Sequence, residues 1–305
     1  MKVIRNRKRV ALAFLTFFNT GVLVAGPFRP AEEAGGSDAI SLNSEAITAW
    51  AAEVISYQPG EEVDPVWQVP ARALGPAEGD TLQVVPLGRG GRLTLAFEEP
   101  FSNQPGVDFA VFENAFASNF LELAFVEVSS DGVHFIRFPA TSLTPAFTGS
   151  EGPDPSDISG LAGKYVAGLG TPFDLSDLPG SPFLDKQAVR FVRLCDVVSG
   201  NSTDAFDNVI YDPFPTLVTA GFDCDGVALL RSSIIPLNLT LEGASRVLRW
   251  PSEIGISYEV FQSDTLSRFP SSWTLVSEIE ASEEETSFEV STSNEMNFFR
   301  VSVSS

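Results

Sequence analysis

The sequence predicts an all-β protein: a jelly-roll β-sandwich followed by a small Ig-like β-sandwich. Three observations lead there. Short runs rich in Val, Phe, Leu and Ile recur from Thr81 to the C-terminus, bounded by clusters of Gly, Pro, Asn and Asp. The turns between them carry β-hairpin chemistry: "LGRGGRL" supplies glycines where positive φ is needed, and "VEVSSDGVHFIRF" is an alternating strand, a Ser-Ser-Asp-Gly turn and a second alternating strand. Helical spacing appears at only one place, so no run of strand–helix–strand units competes with a two-sheet sandwich.

Residues 1–25 read as a secretory signal peptide, with a basic start (Lys2, Arg5, Arg7, Lys8, Arg9), the apolar "VALAFLTFF" and small residues near Ala25. Asn19 and Thr20 interrupt the apolar run well short of the roughly 20 residues of a membrane span, so no span is expected after cleavage. Residues 26–45, rich in Gly, Pro, Ser and acid, are expected to be a loose linker. In "SEAITAWAAEVISY" Ser44 stands as an N-cap, with Ile47, Trp50, Ala51 and Val54 at helical spacing, which predicts one short helix.

The jelly roll is expected over 46–231. Its strand runs are "TLQVVPLG", "GRLTLAF", "DFAVFENAF", "LAFVEVSS", "HFIRFPA", "AVRFVRLCDVV", "VIYDPF" and "GFDCDGVALL". Between them Thr141–Gln187 reads as one long connection, a length that points to ligand binding or mobility. Residues 232–305 hold about six more strand signals in a segment lighter than a usual Ig or fibronectin-III domain of about 100 residues. Trp250, Tyr258, Phe261, Trp273, Phe288 and Phe298 are its expected core.

Charge narrows the partners. Forty acidic residues against 19 basic ones give a net charge of −21, which repels nucleic acid and anionic lipid. The expected location is extracellular, at the cell surface or in the periplasm, and surface or envelope proteins are candidate partners. The two cysteines, Cys195 and Cys224, are candidates for one disulfide in an oxidising compartment, or for two buried thiols.

Enzyme signatures are sparse. With one histidine, His134, the chain cannot build a multi-His zinc site, and it carries no nucleophile elbow, Walker loop or dinucleotide fingerprint. A carboxylate-pair glycoside hydrolase needs no local motif and stays as an alternative. The acids are more informative. Glu113 and Asn114 interrupt the apolar strand "DFAVFENAF". Asp196 stands in the apolar "LCDVV", and Asp223 and Asp225 alternate in "GFDCDGVAL", on one strand face with Val227 and Leu229. Carboxylates in apolar strands need a cation or hydrogen-bond donors. These five residues are therefore expected to converge as a calcium site or as a hydrogen-bonded cluster. Trp67, Phe120 and Tyr165, in predicted loops, are candidates to stack on a ligand.

Taken together, "VVPLGRGGRLTLAF", "GVDFAVFENAF", "AFVEVSSDGVHFIRFP", "LAGKYVAGLGTPFDLSDL" and "DPFPTLVTAGFDCDGVALL" resemble, in order, a family of uncharacterised bacterial secreted or cell-surface β-sandwich proteins. The resemblance covers roughly residues 46–231. It implies a jelly roll similar to galactose-binding-like and carbohydrate-binding modules, and hence capture of a glycan or other small ligand at a loop-rich end, without catalytic residues. In that family an aliphatic residue is more usual at positions 195 and 224, so a disulfide would be particular to this chain. A structural or adhesive surface protein is the other reading.

Overall fold

The computed structural model describes residues 26–30, 37–80, 82–144, 152–216, 218–231, 235, 237–242, 245–263, 273–290 and 298–303. The predicted signal peptide lies outside them. All strand pairings within the sheets are antiparallel, and the expected all-β sandwich is what the chain forms.

Two sheets build the unit before residue 231. The first orders β1 (Ile40–Ser41), β12 (Leu169–Phe173), β6 (Phe109–Glu113), β14 (Asp223–Leu230) and β2 (Ile47–Trp50), with β4 (Val85–Pro86) also on β14. The second orders β11 (Leu161–Ala162), β7 (Ala124–Ser129), β13 (Val189–Asp196), β5 (Arg92–Phe101) and β3 (Glu53–Gln58), with β8 (Ile136–Arg137) on β7. Most neighbours in space are distant in sequence, so crossovers between sheets dominate, while the expected hairpin over residues 126–138 forms where β8 folds back on β7.

The core follows from period-2 alternation. Phe109 and Val111 of β6 enter the main cluster with Leu93, Leu95, Val126, Val192 and Leu194 of the facing sheet. Ala110 and Phe112 point the other way and pack with Trp50, Ile47 and Leu42 in a second cluster. Phe109 stacks on Phe173 at 5.3 Å and meets Phe138 edge-on, which closes one end of the sandwich with aromatic surface.

Three expectations are corrected. The predicted helix over Ser44–Tyr57 is two strands, β2 and β3, one in each sheet. The chain changes sheets at Ala51–Ala52, where the Ala51 N–H donates to the Val227 carbonyl and the Ala52 N–H to that of Ala96. Spacing of 47, 50, 51 and 54 mimics a helix because a register irregularity in each pairing, at Thr48 in β2 and at Ile55 in β3, sets the less exposed residues three apart instead of two. Partner strands then outweigh a weak local preference. Residues 26–45 are not a loose linker where described: Phe28 N–H donates to the Ser156 carbonyl and β1 pairs with β12.

Finally, Thr141–Gln187 is not one open connection. It holds β9 (Thr141–Ser142) and β10 (Ile158–Ser159), which pair with each other, and then β11 and β12. Short 3-10 turns at Pro155–Asp157 and Leu175–Asp177 are each capped by the preceding aspartate.

The C-terminal strands form two three-stranded sheets: β15 (Asn238–Glu242), β16 (Ser245–Pro251) and β19 (Glu285–Val290), and β18 (Thr274–Glu280), β17 (Ser257–Ser263) and β20 (Phe298–Val303). Trp250, Tyr258, Val260 and Val301 are buried between them, and Phe288 packs alongside. Of the six aromatic residues expected there, Trp250, Tyr258 and Phe288 are in or against this cluster, while Phe261, Trp273 and Phe298 are half-buried outside it.

Candidate functional site

The question set by "DFAVFENAF" resolves at the end of β6. Alternation sends Phe109 and Val111 into the core, and the next residue in phase is Glu113. At that point the strand ends. The Glu113 carboxylate turns back so that Oε2 accepts from the Ala115 N–H at 2.7 Å. Asn114 is buried beside it. Opposite, Glu113 pairs in register with Cys224, which brings Asp223 at the start of β14 to the same place.

Glu113, Asn114 and Asp223 line a cavity of about 270 Å³, joined by Glu122, Thr216 and Thr219. Phe116 and Phe120 form its rim, their rings stacked 4.8 Å apart, and Phe116 is 74% exposed. None of the described residues lining the cavity is Lys, Arg or His. Its polar floor is instead acidic and buried: Glu113, Glu122 and Asp223 are each at most 6% exposed.

That concentration of negative charge has a cost, visible in the carboxyl groups themselves. Burial pushes Glu113 well above its ordinary range, and the charges of Asp223 and Asp225 push it further. Burial does the same to Glu122, reinforced by Asp223 and Glu113. Asp223 is raised by burial and by Asp196, against a hydrogen bond from Thr219 that favours its charged form. Thr216 hydrogen-bonds Glu122 in the same way. Even so, Glu122 Oε1 and Asp223 Oδ1 are buried and accept no hydrogen bond.

The five expected site residues, four acids and the amide of Asn114, do not form one cluster. Asp196 stands elsewhere, its Oδ1 accepting from the Phe222 N–H and its Oδ2 from the Gly90 N–H. Burial lifts it to about 7, offset by those amides and by Arg89. Asp225 accepts from the Glu78 and Gly79 N–H groups at 3.1 and 2.8 Å. The expectation that Asp223 and Asp225 share a face with Val227 fails on geometry: the register with β6 shifts between Cys224 and Gly226. Cys224 and Val227 thus both reach the core, leaving Asp225 outside it.

Other expectations divide similarly. Phe120 is at the cavity. Tyr165 is a correction: it is buried, and its hydroxyl donates to Asp38, so it is a packing residue rather than a stacking platform. Trp67 lies in a 3-10 turn with the Arg72 guanidinium 5.4 Å over its ring, away from the cavity. Cys195 and Cys224 are both free thiols, buried in different apolar clusters on different sheets, so the disulfide alternative gives way to the buried-thiol one.

Sequence reasoning missed Glu122 and the buried Asp212, although the signal was there. Glu122 lies between the buried Leu121 and Leu123 in "NFLELAF", the same interruption of an apolar run that drew attention to Glu113. Asp212, in "VIYDPF", is raised by burial and by Asp196.

A second cavity of about 460 Å³ includes Lys164, whose amine burial pushes down to about 8. Its charges are mixed, Arg29 and Lys164 against Asp38, Asp174 and Asp177, so it presents no single sign to a ligand. Among the described residues no three or more His, Cys, Asp and Glu side chains form a ready-made metal cage, and no helix is long and apolar enough to cross a membrane. No family model matches the chain, and no curated protein matches it either.

Proposed function

We propose that this is an exported, non-catalytic binding protein that captures a glycan or other small hydroxyl-rich ligand in the cavity at the end of β6. The observation that carries the reading is the rim. Two phenylalanine rings stack beside a polar pocket, and the outer one, Phe116, leaves most of its surface in water. An exposed ring next to buried acceptors suits a sugar, whose C–H face packs on the aromatic while its hydroxyls donate inward. Size agrees. About 270 Å³ is at the small end for ligand sites, room for about one sugar ring rather than a buried chain.

Secretion and the likeness to carbohydrate-binding sandwiches rest on the leader-like N-terminus and the ordered motifs over 46–231. The test is binding of the mature protein to a glycan array, followed by titration calorimetry with Phe116→Ala. Sugar binding that this variant abolishes supports the reading. Hydrolysis of chromogenic glycosides, lost in Glu113→Gln or Glu122→Gln, would replace it with a carboxylate-pair hydrolase. Absence of both would favour a structural role.

A further inference from the structure

We propose that the floor of the same cavity is a calcium site, held chiefly by Glu122 and Asp223 and completed by neutral oxygens of Asn114, Thr216 and Thr219. It goes beyond the sugar reading and does not depend on it. The starting point is the pair of buried carboxylate oxygens, Glu122 Oε1 and Asp223 Oδ1, that meet no donor. A buried acceptor left unpaired bears the full cost of its lost hydration, and a larger one when charged. Folded chains seldom carry two such atoms in one pocket without something that meets them.

The surroundings say what would meet them. None of the described lining residues offers a positive side chain, and Glu113 adds a third acid. The thiols and the imidazole that would favour zinc are absent from the lining, which leaves only oxygen donors. Calcium accepts six to eight oxygens at flexible geometry and takes carbonyl, amide, hydroxyl and water oxygens alongside carboxylates. Two carboxylates with neutral donors therefore suffice, without the tight cage of three or more acidic or imidazole ligands that the described residues do not form. Magnesium, which demands near-ideal octahedral ligands, fits such a roomy floor less well.

The site also differs from the one expected on sequence. Asp196 and Asp225 drop out, because backbone amides already occupy their oxygens. Glu122 enters. Glu113, with one oxygen committed to the Ala115 N–H, serves as a supporting charge rather than as a principal ligand.

The test is thermal unfolding and titration calorimetry of the mature protein, stripped with EDTA and then given calcium chloride. Wild type is expected to bind calcium at one site and to melt several degrees higher with it. Glu122→Gln and Asp223→Asn are expected to weaken calcium binding at least about tenfold, the smallest loss typical even of outer-sphere changes. In EDTA both should melt at or above wild type, because each removes one of several crowded charges. Asp225→Asn should keep the calcium response.

The alternative is that the acids are simply protonated in the folded protein. Calcium then shifts nothing, and the proposal is overturned. It is also overturned if Glu122→Gln and Asp223→Asn respond as wild type does, since the ion would sit elsewhere. Should either variant fail to fold, the wild-type stoichiometry still decides: no calcium bound sinks the idea. Phe116→Ala, which removes the sugar platform, should leave the calcium response intact, so failure of one reading is distinguishable from failure of the other.

Discussion

Two groups of buried carboxylates sit within the same sandwich and behave differently. Asp108, Asp196 and Asp225 each take two backbone N–H donors from loops that would otherwise be loosely held. Glu122 and Asp223 are just as buried, yet each leaves one oxygen unmet over a cavity. The first group acts as fasteners: Asp108 joins Gln104 to Leu175, and Asp196 joins the Gly90 turn to Phe222. Burial of an acid is thus no guide to function by itself. What separates a structural carboxylate from a candidate ligand is whether its oxygens are already occupied.

The largest expected effect breaks a fastener. Asp196→Ala removes both acceptors and strands the Gly90 and Phe222 N–H groups, at a cost of about 3 kcal/mol or more. Urea unfolding should register that loss equally with calcium and with EDTA. A loss that calcium rescues would place Asp196 in the ligand group and erase the distinction. Next in size, and opposite in sign, Asp223→Asn in EDTA should gain about 1 kcal/mol, since replacing one member of a crowded buried charge group by a neutral isostere relieves desolvation and repulsion. A clear loss would mean that Asp223 is a fastener after all.

The dependence on pH sharpens the contrast among the fasteners. Burial lifts Asp108 to about 6 and Asp196 to about 7, both above the ordinary 3.8, so the folded state binds more protons than the unfolded one between those values. Stability from these two groups is therefore fullest below about pH 4 and is lost as pH rises toward 7. Denaturation of the calcium-free protein across that range should show the decline, flattened in Asp108→Asn. The smallest effect is Phe116→Ala. With its ring 74% exposed, stability should change by no more than about 0.5 kcal/mol while sugar capture disappears. A larger loss would make Phe116 a packing residue and remove the rim from the proposed site.

Much of this was legible in the chain. Apolar runs of strand length and Gly-rich or Asp-Gly turns specify an antiparallel sandwich because they state which face is buried and where the backbone must reverse. They also flag Glu113, Asn114 and Asp223, since an acid or amide inside an apolar strand is costly wherever that strand goes. Applied evenly, that criterion reaches Glu122 as well.

Only the tertiary structure decided the rest. Whether Ser44–Tyr57 coils or pairs depended on partner strands distant in sequence, because propensity for a strand is largely a matter of its neighbours. Whether Asp225 joined Asp223 depended on one extra residue in a register, which no period in the sequence encodes. And whether a buried acid finds donors depends on which loop amides arrive beside it: those of Gly90 and Phe222 reach Asp196, while nothing among the described residues reaches Glu122 Oε1. Residue type sets the demand for a partner, and three-dimensional packing determines whether the chain itself supplies one.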